Sequence, residues 1–337
     1  MRALWIAVLL PCLPASRAPV AQQPERRTLA GDHVAIYNLV GVMRLERGSG
    51  TDVVVELTRG GHDAGKLQIV TGPVRGRETL RVIYPDDDIV YRELGRSANT
   101  TLPVRDDGTF NDHDARGSRW SARGRHVRIT GSGAGLDAHA DLRIAIPPGK
   151  RVEVYLAVGQ AFASNVEGDL RVDVAAANVT ADHVNGSLLV DTGSGDVRLS
   201  DAEGDVSLDT GSGDLIVSAV SGPELKLDTG SGNVAASSVR ADRVKIDTGS
   251  GDVRLDLLAD VQSLDVDTGS GDVTITVPPD LGAEVDIETG SGDIDLQNVT
   301  VRTTRLERDH LTGEIGDGQG RIRIETGSGG IRLVRAK

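Results

Sequence analysis

The sequence predicts an all-β chain that folds as a single-domain parallel β-solenoid, a β-helix or β-roll-like architecture with two short strands per coil of about 19 residues. Three observations favour this class. A six-residue phrase recurs at a nearly constant spacing, apolar and polar residues alternate on either side of it, and that half of the chain shows no helical periodicity. A fixed period of this size is typical of solenoids, in which each repeat covers the apolar face of its neighbour.

The recurring phrase is Asp-Thr-Gly-Ser-Gly-Asp, called the corner phrase below. Successive copies start 18, 19, 19, 20 and 21 residues apart, and a last copy follows after 37 residues. The seven copies begin at Asp191, Asp209, Asp228, Asp247, Asp267, Glu288 and Glu325. Glycine allows the positive φ angles of a tight corner, and Ser and Asp side chains bond the amides of a turn. The phrase therefore predicts a corner between two strands.

Strict alternation of apolar and polar residues flanks each corner phrase. The apolar members recur in the pairs Val197/Leu199, Val206/Leu208, Leu215/Val217, Leu225/Leu227, Val244/Ile246, Val253/Leu255, Leu264/Val266, Val273/Ile275, Val285/Ile287 and Ile294/Leu296. Period-two patterning predicts strands with one face turned inward. We therefore expect regular coils with a thin aliphatic core over residues 164–337, and we interpret the long final gap as one coil that has lost its phrase.

Residues 1–21 have the layout of a secretory signal peptide. Arg2 precedes an apolar run over residues 3–10, and small residues follow up to Ala21. A run of this length is too short to span a membrane. Cys12 ends a loose lipobox, so lipidation at that residue is an alternative. Because Cys12 is the single cysteine, we expect no disulfide, thiolate zinc site or cysteine nucleophile in the mature chain.

The chain is acidic, with a formal net charge of −13 at pH 7. Removing residues 1–21 takes away two arginines, which leaves 35 basic against 50 acidic side chains and a net charge of −15. Such a surface repels nucleic acid and anionic lipid. The sequence therefore predicts no nucleic-acid partner, and no later segment reads as a transmembrane span.

Residues 22–163 predict less regular β coils that form a cap. They contain most of the aromatic side chains, as expected of the irregular end of a repeat array. A polar loop over residues 85–125 interrupts them, and its Asp112, His113 and Asp114 are candidates for divalent-metal ligands. The simpler interpretation of this stretch is a solvated loop that is peripheral to folding.

The corner phrase includes Asp-Thr-Gly-Ser, the active-site string of aspartic proteases. Those enzymes bring two such aspartates face to face so that one carboxyl stays neutral. A string that recurs in every coil fits a corner better than a unique pair, so we predict no catalytic residue and no enzyme. A polysaccharide-acting β-helix enzyme is a third alternative, but such sites usually join carboxylates to an aromatic platform. No aromatic residue follows Phe162.

Calcium is the second alternative. In a parallel array the last residues of successive phrases would stack roughly 4.8 Å apart. Like charges at that spacing repel each other unless amides or cations satisfy them. The calcium candidates are Asp196, Asp214, Asp252, Asp272 and Asp293. We favour carboxylates that cap their own corners, and therefore no cofactor, with a calcium-binding β-roll-like protein as the alternative.

The corner phrase followed by Val-x-Leu, behind a signal peptide, resembles the bacterial putative adhesin family, a family of unknown function. Residues 34–39, 81–85, 140–142 and 146–149 fit this resemblance as well. The resemblance implies an extracytoplasmic β-solenoid without established catalytic residues. We therefore expect an exported protein, periplasmic or at the cell surface, that acts as an envelope scaffold or adhesion module. Its expected partners are an envelope or surface protein or a glycan, together with self-association along the solenoid axis.

Overall fold

The computed structural model describes residues 24–111 and 124–336. Nine strands form the N-terminal part: β1 (Glu25–Leu29), β2 (His33–Arg47), β3 (Val53–Gly60), β4 (Gln68–Val74), β5 (Arg77–Ile83), β6 (Asp88–Val90), β7 (Asn99–Val104), β8 (Arg125–Thr130) and β9 (His139–Ile146). The strands that follow are β10 (Lys150–Asn185), β11 (Leu188–Ser194), β12 (Val197–Glu203), β13 (Val206–Thr210), β14 (Leu215–Thr229), β15 (Val234–Thr248), β16 (Val253–Leu257), β17 (Ser263–Thr268), β18 (Val273–Val277), β19 (Ala283–Thr289), β20 (Ile294–Gln297), β21 (Arg302–Leu306), β22 (His310–Ile315), β23 (Gly320–Thr326) and β24 (Ile331–Arg335).

Helix is almost absent from the part of the chain that the structure describes. Its two helical segments are the 3-10 turns Ala64–Lys66 and Arg92–Leu94. Of the strands, 21 belong to one sheet with many parallel pairings, and β6, β8 and β7 form a second sheet. The all-β class with parallel strands is therefore confirmed. Neither 3-10 turn is long and apolar enough to cross a membrane.

The repeat strands pair in parallel with strands about one period away in the sequence. β11 pairs with β13, β13 with β14, and β14 with β15 over its whole length, so that Leu208 lies beside Leu227 and Leu227 beside Ile246. These three side chains are fully buried. Burial of each such side chain stabilises the fold by roughly 1.5–3 kcal/mol relative to exposure. The predicted inward register of this region matches the structure.

The N-terminal strands close one end of this array. β2 pairs in parallel with the first part of β10, from His33 beside Arg151 to Glu46 beside Ser164. On its other edge β2 pairs in parallel with β5 and with β9. β4 adds to β5, β3 to β9 and β1 to β3 in antiparallel fashion. Antiparallel strands thus cover the parallel layer at this end.

The last corner phrase does not occupy the last place in space. β23 and β24 pair in parallel with β17 and β18 on one side and with β19 and β20 on the other. Residues 320–335 are thus inserted between the repeat of residues 263–277 and the repeat of residues 283–297. In space, Glu325 lies between Asp267 and Glu288. In the sequence, Glu325 follows both of them.

The prediction that the final gap holds one more coil is wrong. β21 and β22 form an antiparallel hairpin, and β22 then pairs antiparallel with β19. Antiparallel pairing lets a short connection return the chain directly, whereas a further parallel coil would need two corners. The hairpin covers β19, while β20 pairs with β24 only among the described strands.

Residues 85–125 also differ from the predicted polar loop, in the part that the structure describes. β6 and β7 lie within this stretch and both pair with β8. Ile89, Leu102 and Val127 are buried in the common core. Because these side chains pack against the core, replacing the stretch with a short linker would expose apolar surface and destabilise the fold. Asp112, His113 and Asp114, like residues 1–21 with Cys12, lie outside the described residues.

The spatial order of the phrases can be tested with cysteine pairs in a Cys12→Ser background. Asp267→Cys with Glu325→Cys should oxidise to an intramolecular disulfide, because directly paired strands bring Cα atoms within the usual disulfide range. Asp267→Cys with Glu288→Cys is the matched control, and it should stay reduced because a strand intervenes. Non-reducing mass spectrometry reads both results. A disulfide in the control pair alone would mean that the repeats stack in the order in which they occur in the sequence.

Candidate functional site

Each residue of the corner phrase contacts a neighbouring repeat. The threonines are 1% exposed, and six of the seven donate their hydroxyl to a glycine carbonyl of a neighbouring repeat, whereas Thr192 donates to the carbonyl of Ala177. Three such bonds are Thr210 to Gly195 at 3.2 Å, Thr229 to Gly213 at 3.1 Å and Thr248 to Gly232 at 3.3 Å. Because a buried hydroxyl without a partner is costly, these bonds link successive corners and satisfy the threonines.

The second glycine of the phrase is required for steric reasons. Gly213 has φ of +148° and Gly251 of +154°, a region that side chains rarely adopt. A Cβ atom at Gly213 would lie 2.2 Å from the carbonyl oxygen of Gly195 in the neighbouring repeat. Any larger residue would therefore push the stacked corners apart.

The last residue of the phrase forms a column of caps, called the capping column. Each side-chain Oδ1 accepts the backbone N–H of the equivalent residue in the next repeat. The bonds run from Asp196 to Asn178 at 3.0 Å, Asp214 to Asp196 at 3.2 Å, Asn233 to Asp214 at 2.8 Å, Asp252 to Asn233 at 3.0 Å, Asp272 to Asp252 at 2.9 Å and Gly330 to Asp272 at 2.7 Å. The caps therefore join repeats, and the prediction that each carboxylate caps its own corner is wrong.

The predicted calcium residues separate into two groups. Asp196, Asp214, Asp252 and Asp272 lie together in the capping column. Asp293 does not continue it, because the neighbouring position is Gly330, and its Oδ1 lies 3.3 Å from Nε of Arg308 instead. No cluster of three or more His, Cys, Asp or Glu side chains suited to a metal ion occurs within residues 24–111 and 124–336. Asn233 stands in mid-column because its amide oxygen accepts the same bond as a carboxylate.

The column predicts a contrast between two substitutions at one site. Asp252→Asn should change the free energy of unfolding by less than about 0.5 kcal/mol, since Asn233 already caps in this way. Asp252→Ala should cost about 0.5–2 kcal/mol, because the N–H of Asp272 then loses its side-chain acceptor. Urea denaturation with and without millimolar calcium measures both. Equal losses for the two variants, or a calcium stabilisation that Asp252→Asn removes, would contradict the capping role.

The first residue of the phrase forms a second column on the outer face, called the acidic column. In spatial order its members are Asp173, Asp191, Asp209, Asp228, Asp247, Asp267, Glu325 and Glu288. Burial and the charges of Asp228 and Asp267 raise the pKa of Asp247. Basic residues two positions earlier offset part of this repulsion, as in the pairs Lys226–Asp228 at 3.6 Å and Arg323–Glu325 at 2.7 Å.

Asp173 is the buried end of the acidic column. Its side chain accepts hydrogen bonds from Asn111 at 3.2 Å and from Arg171 at 3.4 Å. Burial, followed by the charge of neighbouring Asp191, raises the pKa of Asp173 to about 7. The hydrogen bond from Asn111 fastens the segment after β7 to β10. The site is thus sensitive to pH where the cap meets the repeats.

The raised pKa of Asp173 predicts that the free energy of unfolding falls as pH rises. This pKa of about 7 in the folded chain lies above the ordinary pKa of an aspartate, so the folded chain holds the proton more tightly and loses that stabilisation as pH rises through 7. The loss between pH 6 and pH 8.5 should be roughly 1–2 kcal/mol. Asp173→Asn should flatten the profile, whereas Asp267→Asn, an exposed member of the same column, should not. A parent that gains stability over this range, with no change in Asp173→Asn, would contradict this role.

A buried polar cluster joins β2, β5 and β10. Arg77 donates to Glu153 and, at 3.0 Å, to the hydroxyl of Tyr37. The hydroxyl of Tyr155 donates to Glu153 at 2.7 Å, and Nε2 of His33 lies 2.6 Å from Oε1 of Glu153. The rings of Tyr37 and Tyr155 stack with their centroids 4.5 Å apart. Burial opposes ionisation, but the hydrogen bonds from Tyr155 and His33 and the charge of Arg77 lower the pKa of Glu153. The cluster is a closed ion pair that fixes the cap to the array.

A cleft of about 660 Å³ opens between the small sheet and the first corners. One wall is the segment 91–100, which holds the second 3-10 turn and the start of β7. The other wall is formed by residues 158–160, 176–178 and 194–195, which occupy equivalent corner positions in successive repeats. Tyr91 in the first wall donates to Glu93 at 2.7 Å. We call this space the corner cleft.

Sequence reasoning missed both the polar cluster and the corner cleft. Arg77 and Glu153 are 76 positions apart, so no local pattern joins them. The cleft did leave a signal, because Gln160 and Asn178 stand where five of the seven later phrases have an aspartate. That signal is visible only once the period is extended back into β10.

Comparison with known proteins gives one family and one solved structure. A “putative cell adhesion protein” from Clostridium sporogenes aligns with 93% of this chain and 100% of its own, at 9% identity and a TM-score of 0.23. A TM-score this low carries no argument about this chain. No curated protein matches the sequence. The family model described as Toastrack DUF4097 matches residues 123–334, more than half of the sequence, and the chain therefore belongs to the Toastrack DUF4097 family.

Proposed function

We propose that this chain is a non-enzymatic β-solenoid with two short strands per coil, exported to the periplasm or cell surface, where it acts as an envelope scaffold or adhesion and binding module. The leader-like residues 1–21 support export. The parallel pairings at one-period offsets support the coil geometry. Membership of a family of unknown function is compatible with this role.

One observation carries the proposal. The recurring acids of the capping column accept hydrogen bonds from backbone amides of the next repeat. Asp214, for example, accepts the N–H of Asn233 at 2.8 Å, and Asp252 that of Asp272 at 2.9 Å. A catalytic carboxylate is usually distinguished from its surroundings by a shifted pKa and a site of its own. The side chains of the capping column instead form the same structural hydrogen bond from repeat to repeat, as expected of a scaffold.

The outer columns supply the binding surface of the proposed module. The acidic column and the basic residues beside it place side chains of both signs at the spacing of neighbouring strands, roughly 4.8 Å. Such a surface suits an envelope protein or a glycan that contacts several repeats at once. Self-association along the axis is expected to start at β20, because β22 already covers β19.

Binding of the full-length chain to intact bacterial cells and to isolated cell-wall glycan tests the proposal. The fluorescently labelled protein should bind one of these surfaces saturably, and it should release no reducing sugar from the glycan over a day. Leu208→Asp, which places a charge in the core, is the unfolded control and should lose saturable binding. Release of sugar by the parent, or binding no greater than that of the unfolded control, would overturn it.

A further inference from the structure

We infer that the corner cleft binds an uncharged saccharide about the size of a disaccharide. The inference rests on the proposed function, because it names the ligand class of the proposed binding module. Its volume of about 660 Å³ falls within the range of roughly 300–1,000 Å³ that is usual for small-molecule sites. The chemistry of the two walls indicates which class of ligand fits.

The corner columns change in chemistry where they reach the cleft. Stacked repeats are offset by 18 residues here, as the approach of Gly168 to Lys150 and of Gly186 to Gly168 shows. Gln160 and Asn178 therefore occupy the positions that precede Asp196, the first acid of the capping column, and of these two Asn178 makes the capping bond. Two positions before each, the exposed serine of the later phrases is replaced by Val158 and Ala176. The corners thus become amide and apolar where they face the segment 91–100.

The capping role does not explain this change. Asn178 caps Asp196 at 3.0 Å, and Asp196 caps Asp214 at 3.2 Å, so a carboxylate would serve equally well. Packing does not explain it either, because Gln160 and Asn178 are exposed. The side chain of Gln160 and the Nδ2 of Asn178 have no hydrogen-bond partner among the described residues. An amide offers both a donor and an acceptor, which suits neighbouring sugar hydroxyls.

The lining of the cleft carries little charge, which favours a neutral ligand. On a chain with a net charge of −13, the charged residue among the described lining residues is Glu93, and its carboxylate already accepts the hydroxyl of Tyr91. No Lys or Arg of the described chain lines the cleft, so an anionic sugar would lose its hydration without gaining a counter-charge. A cationic ligand would also lose hydration and would meet a single acid, Glu93. A neutral ligand avoids both of these desolvation costs.

The remaining lining fits a sugar ring. The half-buried Ala176 and Leu94 supply a small apolar surface for C–H groups, while Asn99 and Ser194 add polar groups at the walls. Small-molecule sites combine an apolar lining with a few polar groups in this way. Extended peptides usually add to a free strand edge. The repeat wall presents stacked corners and no strand edge, whereas β7 in the facing wall is an edge strand of the small sheet, so a peptide is the competing ligand in the test below.

The test uses the full-length chain and three neutral probes: lactose, maltose and N,N′-diacetylchitobiose. Saturation-transfer NMR at 10 mM sugar detects binding, and titration gives the Kd. At least one probe should bind, while digalacturonate and the diamine chitobiose should not compete. Asn178→Asp and Gln160→Glu should each weaken binding at least fivefold, because each places an unpaired carboxylate in the cleft. Asn233→Asp is the matched control, since it makes the same change in the same column outside the cleft.

The folds of all three variants should be retained, because Asp caps as Asn does at positions 178 and 233 and because Gln160 is exposed and makes no cap, and thermal melts check this. The inference is overturned if no neutral probe binds, if Asn233→Asp weakens binding as much as Asn178→Asp, or if digalacturonate competes with the neutral probe. Binding of a neutral Gly-Ser-Asn peptide in place of every sugar would overturn it too. Cell binding that persists in Asn178→Asp while no sugar binds would remove this site and leave the proposed function intact.

Discussion

The close approach of one corner to the next is the constraint on which the rest of the structure depends. Backbone meets backbone at the glycines, so Gly213 and Gly251 leave no room for a side chain. This approach brings the threonine hydroxyls and the capping side chains within reach of the neighbouring repeat. It also holds the apolar pairs in register, because a slip of one residue would turn the inward side chains outward. Stacking, capping and core burial are therefore a single cooperative arrangement.

The sequence predicted the strands and the inward residues of the repeat half because alternation and period are local properties. The spatial order of the repeats is not local. Seven nearly identical phrases offer the same bonds to one another, so nothing in their residues states which two are neighbours. One trace is visible afterwards: the two phrases that begin with glutamate, at Glu288 and Glu325, lie side by side. The gap of 37 residues suggested two periods by length alone, and it holds an antiparallel hairpin.

The candidate site was predictable to a similar degree. The type of side chain in the capping column suggested bonds to backbone amides, but only stacking shows that the amides belong to another repeat. The polar cluster of Arg77 and Glu153 depends on three strands that are distant in sequence. The segment 85–125 looked polar because its buried residues, such as Ile89 and Leu102, are few and widely spaced among charges.

The inserted position of residues 320–335 has a consequence for how the chain is assembled. From β10 to β18, each new layer can be laid on the one made just before it, and growth follows synthesis. Residues 283–315, made next, end up one layer further out, and the space beneath them is filled only by residues made later. β19 and the β21–β22 hairpin must therefore stand aside until β23 and β24 arrive. The outer layer at this end therefore takes its final place only after the C-terminal residues have paired with β17 and β18.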